Sequence, residues 1–214
     1  MNLLEKKDKK KDKKAEKENT SPVKEQDQVV DLLESLNKGP EQRSIMFVGE
    51  LNEEKAADLI SALLVLAQEK EEKATRGDDI KLYISTYGGS AHEMFGIYDI
   101  MNWCKQFCDI QTIGMGKVMS AGTLVLAAGT PGKRRLGKNC QVMIHSVNGG
   151  SIGELHNLEN EMEQMKNLQD MYIQGLSNET SMTKRQILSL INRKVNVYLS
   201  AEEAIEKGLA DEVL

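Results

Sequence analysis

Two textures alternate along the chain. Through residue 28 lysines alternate with aspartates and glutamates, with hardly an apolar side chain after Leu4. Such a composition cannot offset the entropy of ordering, and it predicts a disordered charged tail over residues 1–28. A solvated charge run is the simple account of it; a processed leader or a docking arm is the functional one. From Val29 the pattern changes: Val29, Val30, Leu32, Leu33 and Leu36 fall at helical spacing, and Gly39-Pro40 breaks it. The globular domain is read as residues 29–214.

Beyond that break, short apolar runs and amphipathic stretches take turns. Residues 44–48 read as a strand ended by Gly49. Leu59, Leu63, Leu64, Leu66 and Ala67 mark a long helix, and the turn Arg76-Gly77-Asp78-Asp79 leads into a strand over 80–84. The unit then repeats as a helix over 91–107, a strand over 110–114, a helix over 120–128 and a strand over 141–144. Strands alternating with helices predict parallel pairing, because a parallel crossover needs a covering element. An α/β fold of repeated βαβ units with right-handed crossovers is expected. Helices over 152–176, 183–192 and 201–207 make the C-terminal third largely helical.

Composition narrows the function. With 214 residues, 40% of them hydrophobic, the chain can bury one core of ordinary domain size. A net charge of −5 and a pI near 5.4 leave no basic footprint, so no nucleic-acid partner is expected. No apolar stretch approaches the roughly 18–20 residues that span a bilayer. Leu3 and Leu4 are followed at once by charges, so no secretory signal is expected either. Three cysteines, Cys104, Cys108 and Cys140, suit a reducing compartment better than a disulfide framework, which points to a soluble, cytoplasmic protein. Cys104 and Cys108 could share one face of the predicted helix over 91–107. Without a further Cys or His pair to complete four ligands, they are read as buried thiols, and no metal is expected.

Two glycine patterns suggest nucleotide binding and miss it. Gly114-Met-Gly116 has Met119 where a dinucleotide fingerprint needs its third glycine. Gly129-Thr-Pro-Gly132-Lys133 has too short a gap for a phosphate loop, and Arg134 where that loop needs Ser or Thr. No cofactor is expected.

Three strand ends carry more chemistry. Gly88-Gly89-Ser90 closes one strand with glycines that let a backbone amide approach a ligand, which makes Gly89 a candidate oxyanion donor. Ser120 stands where a strand gives way to a helix, with the Ala121 amide unpaired at the first turn. This half-matches the Gly-x-Ser-x-Gly elbow, with Val118 at the first glycine; a helix N-cap serine is the other reading. His145 ends an apolar strand and suits proton exchange near neutral pH. His92 and His156 lie in polar helical stretches and are expected at the surface.

Several motifs, in order and spacing, resemble the Clp peptidase family. They are Tyr83-Ile-x-x-x-Gly-Gly, Gly96-Ile-Tyr-Asp-x-Met101, Gly114-Met-Gly with Ser120, Ala128-Gly-x-x-Gly-Lys-Arg134, Met143-Ile-His145, Gly149-Gly150, and the run from Ser200 to Asp211. The resemblance covers about residues 43–214 and implies a Clp-peptidase/crotonase-like parallel-sheet core. It implies Ser120 as nucleophile, His145 as base, and the amides of Gly89 and Ala121 as oxyanion donors. Ser90, Gly149 and Gly150 would line substrate, the latter two in a handle that joins two rings. The activity implied is a serine endopeptidase that cleaves unfolded polypeptides, the proteolytic subunit of an ATP-dependent protease. Its partners would be further copies of itself, in two stacked heptameric rings, and a Clp-type AAA+ ATPase.

The departures are specific. Asn196 stands where the family places the aspartate of its triad. Tyr87 replaces a proline before Gly88-Gly89, Lys117, Val118 and Met119 replace small residues before the serine, and Ala121 replaces a larger neighbour. Residues 1–42 lack the family's usual opening, which bears on ATPase docking. Two other readings stand beside the peptidase: a weakly active or non-catalytic ring subunit, and a crotonase-fold acyl-CoA enzyme, which would not need a Ser/His pair.

Overall fold

The computed structural model describes residues 43–71 and 77–214. The charged tail, the helix expected from Val29 and its Gly39-Pro40 break lie outside these residues, as does Arg76.

β1 (Ser44–Leu51) enters the core on alternate residues, Ile45 and Phe47 being buried and Met46 and Val48 exposed. α1 (Glu53–Glu71) carries it to β2 (Gly77–Gly89), and α2 (Ala91–Cys104) to β3 (Cys108–Met119). α3 (Ala121–Ala127) follows and is buried along its whole length. Then come β4 (Arg134–Leu136), β5 (Gln141–Ile144), α4 (Leu155–Glu179), α5 (Lys184–Ile191), β6 (Val197–Leu199), α6 (Ala201–Glu206) and β7 (Glu212–Val213).

The sheet runs β1-β2-β3-β4-β7 with every one of these pairings parallel, as the βαβ alternation requires. β3 forks it. Thr112–Gly114 pair with β4, whereas Lys117–Met119 pair with β5. Gly114 and Gly116 make the fork possible. A Cβ on Gly114 would lie 2.6 Å from Leu136, and Gly116 takes a left-handed φ of 70°. The Gly114-Met-Gly116 pattern thus belongs to sheet geometry. The core gathers on one face of the sheet, where Phe47, Ile80, Leu82, Ile84 and Ile110 share a side by register and pack with Leu63, Ile97 and Leu124 of the helices, all buried.

Some expectations shift. β2 begins at Gly77 and absorbs the expected turn, and β1 and β3 are longer than their apolar runs. β4, β6 and β7 are two or three residues each, too short to show a period. β6 is antiparallel to β5, so the C-terminal third contributes strands as well as helices. Cys104 ends α2 and Cys108 opens β3, so they do not share a helix face. Burial pushes the Cys104 and Cys140 thiols up to about 11. Among the described residues no helix is long and apolar enough to cross a membrane, and no group of three or more His, Cys, Asp or Glu side chains could hold a metal.

Candidate active site

Parallel pairing brings the strand ends together. Met119 pairs with Met143, the Ser120 amide donates to the Met143 carbonyl at 2.8 Å, and Ser120, next after Met119, meets His145, two residues past Met143, across the gap. Ser120 Oγ lies 2.7 Å from His145 Nε2. This is hydrogen-bond distance between hydroxyl and imidazole, the arrangement a base needs in order to take the serine proton.

Ser120 occupies a backbone conformation that an ordinary N-cap does not, with φ 53° and ψ −122°. Such a non-glycine conformation costs about 1–3 kcal/mol and persists only where surrounding structure enforces it. The Ser120 side chain makes no capping hydrogen bond. The N-cap alternative therefore lacks its defining contact, and the turn has the strained geometry of a nucleophile elbow. Thr123 anchors the turn from below, its amide at 2.9 Å and its Oγ1 at 2.6 Å from the Ser120 carbonyl.

Gly88 is what lets β2 come this close, and sequence reasoning passed over it in favour of Gly89. Its φ is 101°, and a Cβ there would lie 2.6 Å from Ser120 Cβ and 3.1 Å from the Ala121 nitrogen. Thr86 Oγ1 accepts from the Gly88 amide at 2.9 Å and sits 2.5 Å from the Gly49 carbonyl, fixing the turn. Gly89, also at positive φ, packs its α-carbon against the backbone of Leu51. Ser90 caps α2, its Oγ accepting from the Glu93 amide at 3.4 Å.

The turn and the strand ends border a cavity of about 310 Å³. Gly89, Ser90, Ser120, Ala121 and His145 line it, together with Tyr87, Met94, Val147, Asn148 and Tyr172, which the sequence reading did not single out as lining. Lys117 Nζ sits 4.4 Å from the centre of the Tyr87 ring, so these two departures from the family pattern pair with each other at the rim. Gly149 and Gly150 are exposed in the following loop and do not border the cavity; a Cβ on Gly149 would collide with Met165 of α4. His92 and His156 are exposed.

Burial holds the His145 pKa below its ordinary value; the Asn148 side chain and the Ser146 backbone, which favour the cation, offset this only in part. The ring is thus neutral and able to accept a proton at neutral pH. Asn196 is exposed and precedes β6. Ile144 pairs with Val197, so the same antiparallel register continued by one residue sets Asn196 opposite His145. No hydrogen bond joins the two among the described residues.

The Clp protease family model matches residues 24–214. The ATP-dependent Clp protease proteolytic subunit 2 of Corynebacterium jeikeium (strain K411) is 34% identical over 178 residues, which are 83% of this chain and 81% of that protein. A match across both the sheet and the helical C-terminal third leaves no part of the described fold outside the likeness. The chain belongs to the Clp protease family and is a serine-type proteolytic subunit.

Proposed function

We propose that this chain is an active endopeptidase for unfolded polypeptides, working through an acyl-enzyme on Ser120. The observation that carries this reading is the 2.7 Å contact between Ser120 Oγ and His145 Nε2 at a strained elbow. His145 takes the Ser120 proton as Oγ attacks the scissile carbonyl, and the amides of Gly89 and Ala121 receive the oxyanion. His145 then passes that proton to the leaving amine, the C–N bond breaks, and an ester to Ser120 remains. Water attacks the ester, His145 takes its proton and returns it to Oγ, and the new carboxyl end departs. A crotonase-type reaction would leave the Ser120–His145 contact without a role.

For catalysis Nδ1 must carry its hydrogen toward an acceptor. Asn148 and Ser146 supply one nearby, and Asn196 holds the register position opposite the ring. We assign Asn196 to the third triad position, where its amide oxygen can orient the imidazole but brings no charge to stabilise the cation. Two outcomes follow for kcat/KM of a small fluorogenic peptide against pH. In the wild type, the rising limb should lie below the ordinary imidazole value of about 6.5, because a depressed pKa keeps the base neutral to lower pH. In Asn196→Asp, the added carboxylate should favour the cation, move that limb to higher pH and raise the plateau. A mutant profile that superimposes on the wild type would mark Asn196 as a surface residue and leave the ring to Asn148.

Assembly into two stacked heptameric rings is proposed on the same footing, through the loop after His145 and α4. Ile152, Leu155, Met162 and Met171 are large apolar side chains left exposed there. Light scattering should find a large oligomer at micromolar concentration; a fully active monomer would refute the arrangement. The name of the Corynebacterium relative includes ATP dependence, and a Clp-type AAA+ ATPase that unfolds substrates is the proposed partner. A cytoplasmic location is proposed from three buried cysteines, Cys104, Cys108 and Cys140, that form no disulfide among the described residues.

A further inference from the structure

The Ser120 carbonyl is held by more than the helix that follows it. Thr123 Oγ1 lies 2.6 Å from it, Tyr172 Oη lies 3.3 Å from it, and the two hydroxyls are 2.6 Å apart. Thr123 is completely buried and Tyr172 nearly so. Each hydroxyl has one hydrogen to give. The two short contacts are satisfied together when Tyr172 donates to Thr123 and Thr123 donates to the Ser120 carbonyl. Tyr172 stands on α4, which can approach α3 because Gly175, one turn further along, has no side chain where it meets Leu124.

The peptide unit that begins with the Ser120 carbonyl ends with the Ala121 amide. In a planar trans peptide the carbonyl and the N–H point in opposite directions, so fixing one fixes the other. Donors on the carbonyl also polarise the N–H and make it the stronger hydrogen-bond donor. We infer that Tyr172 and Thr123 form a buried hydroxyl relay that aims and polarises the Ala121 amide toward the oxyanion, while holding Ser120 in its strained conformation. They are positioning residues: neither needs to touch the reacting atoms. The inference rests on the peptidase reading, since it assigns the Ala121 amide to the oxyanion.

The test compares Tyr172→Phe with wild type in the full-length assembled protein. The ring is kept and only the hydroxyl is lost. Losing an oxyanion donor outright costs about 10²–10³ in kcat, and a donor left poorly aimed should cost about tenfold or more. The loss should fall on kcat with KM nearly unchanged. Affinity for a peptide aldehyde, whose adduct on Ser120 carries an oxyanion, should fall by a similar factor, and the rising limb of the pH profile should stay in place. A residue that merely packed would not link kcat to aldehyde affinity. Thr123→Val should behave like Tyr172→Phe or worse, and Thr123→Ser, which keeps the hydroxyl, should restore most of the activity; this pair decides the matter if Tyr172→Phe fails to fold. Wild-type kcat and aldehyde affinity in Tyr172→Phe, or in Thr123→Val, would overturn the relay. A wild type that neither hydrolyses peptide nor reacts at Ser120 would instead overturn the peptidase reading beneath it.

Discussion

Ser120→Ala is expected to reduce peptide hydrolysis by about 10⁴–10⁶-fold, and His145→Ala to do nearly the same, with the double mutant scarcely worse. The non-additivity is the informative part. With Oγ gone, His145 has no proton to take; with the imidazole gone, Oγ remains a protonated alcohol and a poor nucleophile. Folding should survive, because the Ser120 side chain caps nothing and its hydrogen-bond partner among the described residues is the His145 ring. Ser120→Gly separates strain from chemistry. Glycine adopts a φ of 53° without cost, so this variant should be about 1 kcal/mol more stable than Ser120→Ala while equally inactive. Measured rates for the two single mutants and the double, beside urea unfolding of Ser120→Ala and Ser120→Gly, check both halves. Independent, multiplying losses from the two single mutants would contradict a Ser/His unit.

Asp211→Ala is the largest expected change in stability, about 3 kcal/mol. Arg134 is buried, and its guanidinium meets the Asp211 carboxylate through two contacts, Nε to Oδ2 at 3.0 Å and Nη2 to Oδ1 at 2.6 Å. Asp211 also accepts from the amides of Gly132 and Arg134, at 2.7 and 2.9 Å. Removing it strands a buried cation and two amides, although Arg134 Nη1 keeps the carbonyls of Ala127 and Glu179. The pair joins the first residue of β4 to the residue just before β7. Burial alone would push the Asp211 carboxyl up; hydrogen bonds from the Arg134 side chain and backbone outweigh it and hold the pKa below the ordinary value. A depressed folded pKa contributes stability above the unfolded pKa and loses it as pH falls through the folded one. The contribution should therefore be intact at neutral pH and fade below about pH 4. Asp211→Ala should flatten that acid dependence. Urea denaturation at pH 7 and pH 3.5 measures both effects, and a mutant within about 0.5 kcal/mol of wild type at pH 7 would mean the pair is dispensable.

Much of this could be read from the residues, for identifiable reasons. The strand over 141–144 coincides with β5, Gln141–Ile144, because the three apolar residues after Gln141 sit between polar turns. The βαβ alternation sufficed for a parallel sheet. Its fork did not show, because the branch depends on Gly114 and Gly116 bending β3 between partners that arrive later in the chain. β4 and β7 are held by the Arg134–Asp211 contact across 77 positions, which leaves no local period. Serine after a strand and before a helix reads equally as cap or nucleophile; only the sign of φ and the missing cap bond separate them. The family motifs pointed to the role without that geometry. Gly88 and Tyr172 escaped because their meaning lies in what faces them. Gly88 is small for the sake of Ser120, and Tyr172, in an amphipathic helix, resembles any core residue until its hydroxyl is seen beside Thr123.

The central claim, that Ser120 is a nucleophile activated by His145, is tested most directly by reaction with a fluorophosphonate followed by peptide mapping. The account predicts one adduct per chain, on Ser120, forming at a rate that climbs with the same pH limb as peptide hydrolysis. His145→Ala should slow it by orders of magnitude and Ser120→Ala abolish it. Labelling that persists in Ser120→Ala, or a folded wild type whose Ser120 stays unmodified while peptides are hydrolysed, would contradict the account.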